Sequence, residues 1–313
     1  MSSNRRFRRA QKAKQPEQSL QPTEVNLDQE TSDASGPKGF CFITSCMGRL
    51  DHLKQSSAAL LMDPRIDGVR NHYLVVDYYC PDRCGQWVSN KYGARVQVLE
   101  FSKQVPLEPG RKAVFQKPLA YNSGAYEALA GLNAQYLVFI DADTIVTPTL
   151  MNFLFAHASP DRFLIFEPNH GEHRDLTGFL VVHRRAFMKV NGFDLRFQGW
   201  GAEDLELRVK LYLRGRAPLD RPRQILQLPE LGMPWTEIPC DLASSIPHDD
   251  DRRTGNYREK DKDISHGKNL NLLCNNVYEW LGLHPVDLQG TPLSSRIQRL
   301  LGMDLILNPK SFE

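Results

Sequence analysis

Tyr136-Leu137-Val138-Phe139-Ile140 is an unbroken apolar run that halts on Asp141-Ala142-Asp143. A run so short, rich in β-branched and aromatic side chains, predicts a strand buried on both faces. Upstream the same signal recurs: Gly39–Ile43, Tyr73–Val76 and Arg95–Glu100 read as strands, while Arg49–Leu61, Val88–Tyr92 and Gln116–Leu132 carry helical spacing between them. Strands that alternate with helices predict an α/β fold whose central sheet is mainly parallel, joined by right-handed crossovers and flanked by helices. Beyond Asp143 the pattern loosens. Pro148–His157 predicts a helix opened by proline, Phe163–Glu167 and Thr177–Val182 predict strands, and a helix from Arg184 leads to a turn at Val190–Asp194. A further helix runs from Glu203 through Leu213 to Gly215, and Val286–Leu301 has helical spacing before Gly302.

Charge segregation marks off the start of the chain. Residues 1–14 hold Arg5, Arg6, Arg8, Arg9, Lys12 and Lys14 without an acid, whereas 15–37 hold Glu17, Glu24, Asp28, Glu30 and Asp33 without a base. With few apolar residues to bury, 1–38 reads as a disordered tail. It either solubilises the protein or rests on an anionic membrane surface, where each cation contributes about 1 kcal/mol. Residues 39–280 then form one α/β domain, and 281–313 a C-terminal helical extension. No run of about 18 apolar residues and no secretory signal is present, so the expectation is a cytoplasmic, soluble protein with peripheral membrane contact through its tail. Acids and bases nearly balance, 37 against 39, which gives no reason to expect nucleic acid as a partner. The six cysteines read as reduced, and Cys80-Pro81-Asp82-Arg83-Cys84 lacks a second Cys or His pair to complete a zinc site.

Two segments carry chemistry. Asp141-Ala142-Asp143 presents two carboxylates at the carboxyl end of a strand, where open α/β sheets place their ligands and where hard divalent cations find oxygen donors. Two acids there also serve as ordinary loop residues or a helix cap. In Gly199-Trp200-Gly201-Ala202-Glu203-Asp204, the glycines let the backbone turn around a large flat ring, and the acids start a helix at its positive end. Helix capping alone accounts for those acids as well. Glu206 reads as a solvent-facing helix residue, and the loop with Asn169, His170, Glu172, His173, Arg174 and Asp175 as polar surface rather than a second metal site.

These residues resemble a known family. Val190-Asn191-Gly192-Phe193-Asp194 with Gly199-Trp200-Gly201-Ala202-Glu203-Asp204 is similar to the C-terminal half of the β-1,4-galactosyltransferase-like, family-2-like inverting glycosyltransferases and their bacterial relatives. Phe115-Gln116-Lys117 with Asn122-Ser123-Gly124 resembles the family's nucleotide-binding helix, and Asp141-Ala142-Asp143 its DXD metal motif. Ile246-Pro247-His248-Asp249, with Arg252, Asn256 and Ser265-His266, resembles the flexible loop that closes over the donor. The likeness runs over roughly 39–280 and is most specific at the Trp-Gly-x-Glu-Asp motif.

The resemblance implies a GT-A fold and an inverting transfer of galactose or an N-acetylhexosamine from a UDP-sugar to a glycan hydroxyl. It implies Asp204 as the general base, with Trp200, Gly201 and Glu203 at the acceptor. Arg49, Phe115, Lys117, Asn122, Asp141 and Gly178 fall at the nucleotide-sugar, and Asp143 with His248 at the metal, manganese before magnesium because imidazole favours transition ions. Ser245 stands where the family often has a thioether. A glycan or lipid-linked acceptor, as in surface polysaccharide biosynthesis, would complete the partners. The rival readings are a nucleotidyltransferase of GT-A-like fold, a metal phosphohydrolase and a non-catalytic carbohydrate-binding protein. The nucleotidyltransferase would not need Trp200 beside Glu203 and Asp204, and the phosphohydrolase lacks the further histidine and acid.

Overall fold

The computed structural model describes residues 39–104, 113–166, 176–199, 201–215, 229–247, 259–281 and 291–301. The first strands and helices alternate as their sequence pattern predicts. Strands β1 (Phe40–Cys46), β2 (His72–Asp77), β3 (Gln97–Glu100) and β4 (Tyr136–Ile140) lie parallel in the order β3-β2-β1-β4. The sheet is then extended by β7 (Leu180–His183), antiparallel to β4, and by β6 (Phe163–Phe166) and β8 (Trp235–Ile238), which are parallel to each other. A separate ribbon pairs β5 (Thr144–Val146) with β9 (Ala243–Ser245). Sequence reading did not find β5, β8 and β9, which have 3 to 4 residues each and too little length for a period to show.

The central strands alternate between two apolar layers, because successive side chains leave a strand on opposite faces. Cys41 and Ile43 of β1 join one layer and Phe40 and Phe42 the other. Over the second layer lie α1 (Leu50–Leu61), α2 (Cys84–Tyr92) and α5 (Pro148–His157). The first is covered by α4 (Lys117–Ala130), α6 (Arg184–Lys189), α7 (Glu203–Arg214), α8 (Glu259–Leu281) and α9 (Pro292–Leu301); a short α3 (Phe101–Gln104) follows β3. At Gly124 a Cβ would stand 2.8 Å from the side chains of both Ile43 and Val76, so glycine is what lets α4 lie close on the sheet. That approach carries Lys117, the first residue of α4, to the carboxyl end of β4.

Several expectations change in detail. Helix α2 starts at Cys84 rather than Val88, since Arg83 turns the chain with φ of 51°. Residues 176–179 are a turn, and β7 starts only at Leu180. Ser265 and His266 belong to the long helix α8 rather than to a loop. Glu206 is fully buried, not solvent-facing, because α7 is covered on all sides; Lys210, one turn on, meets its carboxylate at 3.1 Å. The tail 1–38, the histidine loop and residues 286–290 of the predicted last helix lie outside the described residues. Among the described residues no helix is long and apolar enough to cross a membrane, and all six cysteines are free.

Burial pushes Glu206 up to about 7, against the pull of Lys210. Its folded-state value therefore lies above the ordinary 4.5 of the unfolded chain. The native state holds the extra proton between those values, so this stabilisation is complete below pH 4.5 and is lost as pH rises through about 7. Thermal melts across that window should show stability falling by on the order of 1–3 kcal/mol, and Glu206→Gln should flatten the slope.

Candidate active site

At the carboxyl end of β4 the chain delivers Asp141 and Asp143, and at the start of α7 it delivers Glu203 and Asp204. Asp141, Glu203 and Asp204 converge on Lys117. Its Nζ lies 2.9 Å from Asp141 Oδ1, 2.9 Å from Asp204 Oδ2 and 3.6 Å from Glu203 Oε1. Burial alone would lower the Lys117 pKa, but Asp141 and then Asp204 outweigh it and hold the ammonium ionised. Lys117 thus bridges the strand end and the helix start.

The surrounding groups fix each carboxylate. Arg49, just before α1, donates from Nη1 to Asp143 Oδ2 at 2.7 Å, and Asp143 is buried. Tyr121, one helical turn beyond Lys117, donates to the Ile140 carbonyl at 2.9 Å and also reaches Asp141 Oδ1 at 3.1 Å. Gly178 faces the other oxygen of Asp141, and a Cβ there would collide with the carboxylate. Gly178→Ala should therefore cost about 1–3 kcal/mol, the usual range for an overpacked site, seen as a lowered melting temperature.

On α7 the chain enters the helix through a left-handed stretch, with φ of 80° at Gly199, 98° at Gly201 and 68° at Ala202. Ala202 makes no side-chain cap, so Glu203 and Asp204 occupy the first turn without serving as its cap. A Cβ on Gly201 would strike the His266 ring, and Asn269 on α8 donates to the carbonyls of Gln198 and Gly201 at 3.1 and 2.8 Å. Burial first, and then the charge of Asp204, pushes Glu203 up to about 7. Asp204 is also raised by burial, with Lys117 opposing. Beneath them Arg208 is almost wholly buried, and its Nη2 donates to the Thr177 carbonyl at 2.6 Å, tying α7 to the turn that carries Gly178. Burial lowers Arg208 to about 10, partly offset by Asp204.

Of the residues singled out from sequence, the structure brings together Arg49, Lys117, Asp141, Asp143, Gly178, Gly201, Glu203 and Asp204. Phe115 is half-buried with its ring edge-on to Tyr78 at 5.6 Å. Asn122 is buried, and its amide donates to the Phe193 carbonyl at 2.8 Å and accepts from the Phe193 N–H at 2.9 Å. Trp200 and His248 lie outside the described residues. Sequence reading passed over Tyr121, Arg208 and Asn269. The first two carry a legible signal, since Lys117/Tyr121 and Asp204/Arg208 are i,i+4 pairs on one helix face; Asn269 is distant in sequence and carries none.

Residues 166–227 match a family model described as the N-terminal domain of galactosyltransferase. Human beta-1,4-galactosyltransferase 4 is 30% identical over 122 residues, 38% of this chain and 33% of that protein, and the mouse protein of the same name is 28% identical over 131 residues. The chain thus spans about a third of the length of the curated relatives it matches. Among solved structures, mannosyltransferase PcManGT from Pyrobaculum calidifontis, in complex with GDP-Man and Mn2+, superposes with a TM-score of 0.50 at 13% identity, covering 86% of this chain and 73% of that one. The catalytic domain of Drosophila beta1,4-galactosyltransferase 7 has a TM-score of 0.44 at 17% identity, covering 73% and 79%. At 13% identity the likeness to the mannosyltransferase concerns the fold.

Proposed function

We propose that this chain, a GT-A-fold protein of the galactosyltransferase type, is an inverting, metal-assisted glycosyltransferase that moves galactose or an N-acetylhexosamine from a UDP-sugar to a glycan hydroxyl. The observation that carries the reading is the convergence of Asp141, Glu203 and Asp204 on one largely buried ammonium, with Asp143 beside them on Arg49. It joins the end of a strand suited to a donor with the start of a helix suited to an acceptor. In such a transfer the acceptor hydroxyl gives its proton to a carboxylate oxygen of Asp204, and the hydroxyl oxygen bonds to the anomeric carbon. The bond from that carbon to the diphosphate oxygen breaks on the opposite face, and its electron pair leaves with the nucleotide. Lys117 holds the ionised carboxylate in place, and Glu203, raised by burial, donates or accepts at acceptor hydroxyls.

A divalent ion fits the donor side. Asp141 and Asp143 offer hard oxygen donors at one strand end, and with Glu203 and Asp204 the carboxyl groups outnumber the cations Lys117, Arg49 and Arg208 four to three. Asp143 would hold the ion with His248, and Asp141 would serve the ribose or the ion's water shell. Bound manganese or magnesium would supply neutralisation of the departing diphosphate. Galactose is favoured among donor sugars by the named activity of the human and mouse relatives. Incubating the protein with a panel of nucleotide sugars and glycan acceptors, with manganese, magnesium or chelator, tests the reading. Metal-dependent release of UDP from one donor, with an inverted product, supports it; absence of both turnover and metal-dependent UDP binding sinks it.

A further inference from the structure

A second cluster lies at the ends of β1 and β2. Cys46 is the last residue of β1, Cys80 sits in the loop after β2, and Cys84 is the first residue of α2. Their three sulfurs lie within 4.8 Å of one another, and all three residues are buried. Sequence spacing relates Cys80 to Cys84 alone; the parallel pairing of Cys46 with Asp77 brings in the third thiol, which no local motif announces. We propose that Cys46, Cys80 and Cys84 bind a thiophilic d10 metal ion, zinc first, in a structural site separate from the carboxylates.

Donor chemistry and geometry support this. Sulfur donors select zinc or Cu(I) over manganese and magnesium, whereas Asp141 and Asp143 have the opposite preference. In a tetrahedral zinc–thiolate site, sulfurs about 2.3 Å from the ion stand about 3.8 Å apart, so a contraction of at most about an ångström closes the cluster. The chain has also fixed the sulfur positions from outside. The Gly48 N–H donates to Cys80 Sγ at 3.2 Å, as backbone amides do to metal-bound thiolates. The Cys84 thiol donates to the Cys46 carbonyl at 3.8 Å. Asp77 holds the loop by accepting from the N–H groups of Cys80 and Gly85, each at 2.8 Å. An ordinary buried cysteine needs none of these features to pack. The ion would clamp the loop and α2 to the end of β1, three residues before Arg49.

Elemental analysis of protein purified from zinc-supplemented medium, with reductant present, tests the site and does not depend on the transferase reading. About one equivalent of zinc or copper should accompany the wild-type chain, Asp143→Asn and Cys240→Ser alike, and the two metals are told apart directly. The double variant Cys46→Ser/Cys84→Ser should retain under about a tenth of it. Titrating metal-stripped wild-type protein with Co2+ needs no variant to fold, and should give a sulfur-to-cobalt charge-transfer band that zinc abolishes. No such band, less than about a tenth of an equivalent of thiophilic metal in the wild type, or a disulfide among the three found by mass spectrometry would each overturn the proposal.

Discussion

Asp204→Asn should lower sugar transfer by about 10²–10⁴-fold, the contribution of a positioned general base, while leaving metal-dependent UDP binding within a few-fold of the wild type. The asymmetry follows from which side of the site the substitution touches. Asparagine keeps an oxygen that accepts from Lys117, now 2.9 Å from Asp204 Oδ2, and Lys117 keeps its contacts to Asp141 and Glu203. Arg49 and Asp143 on the donor side are not in the exchange. What disappears is an oxygen able to take a proton. The effect should therefore fall on kcat, with little change in the donor KM, because the interaction is made only as the acceptor loses its proton. Single-turnover assays with a fixed donor read this directly. If Asp204→Asn transferred within about threefold of the wild type and Glu203→Gln did not, the proton would belong to Glu203, whose burial-raised carboxyl near 7 is the nearest competitor.

Most of the frame was legible in the chain because the signals were local. Tyr136–Ile140 is apolar throughout because the strand is covered on both faces, and Pro148–His157 is found with its predicted limits because proline marks its first turn and Thr147 caps it, accepting from the Leu150 N–H at 3.0 Å. The candidate residues were legible where they sit beside such signals: Asp141 and Asp143 after a strand, Glu203 and Asp204 after two glycines. Lys117 was found, but its pairing with Asp141, Glu203 and Asp204 was not, since all three lie elsewhere in the chain. Glu206 was misjudged for a related reason. A charged residue on a helix defaults to solvent, and only the packing of α7 under its neighbours shows that both faces are covered. Cys46 likewise gains meaning only from strand pairing.

Replacing Lys117 by methionine should destabilise the fold by about 3–5 kcal/mol, because it leaves buried Glu203 and the largely buried Asp141 and Asp204 without their counter-charge. Methionine fills a similar volume, so the loss is electrostatic. Asp141 and Asp204 each lose a partner at 2.9 Å and Glu203 one at 3.6 Å. The sign of the pH dependence separates this from a packing defect. In the wild type the raised Lys117 keeps its charge until pH passes well above the ordinary lysine value. In Lys117→Met the carboxyls of Glu203 and Asp204, already raised by burial, rise further and hold protons in the native state. The variant's stability is then greatest in acid and falls as pH climbs through the carboxylates' raised values. The gap to the wild type should widen from pH 5 to pH 8 in thermal melts, and Mn2+ should narrow it by resupplying positive charge beside Asp141 and Asp143. An equal loss at every pH, unmoved by the ion, would show that Lys117 serves packing alone and that the carboxylates do not depend on its charge.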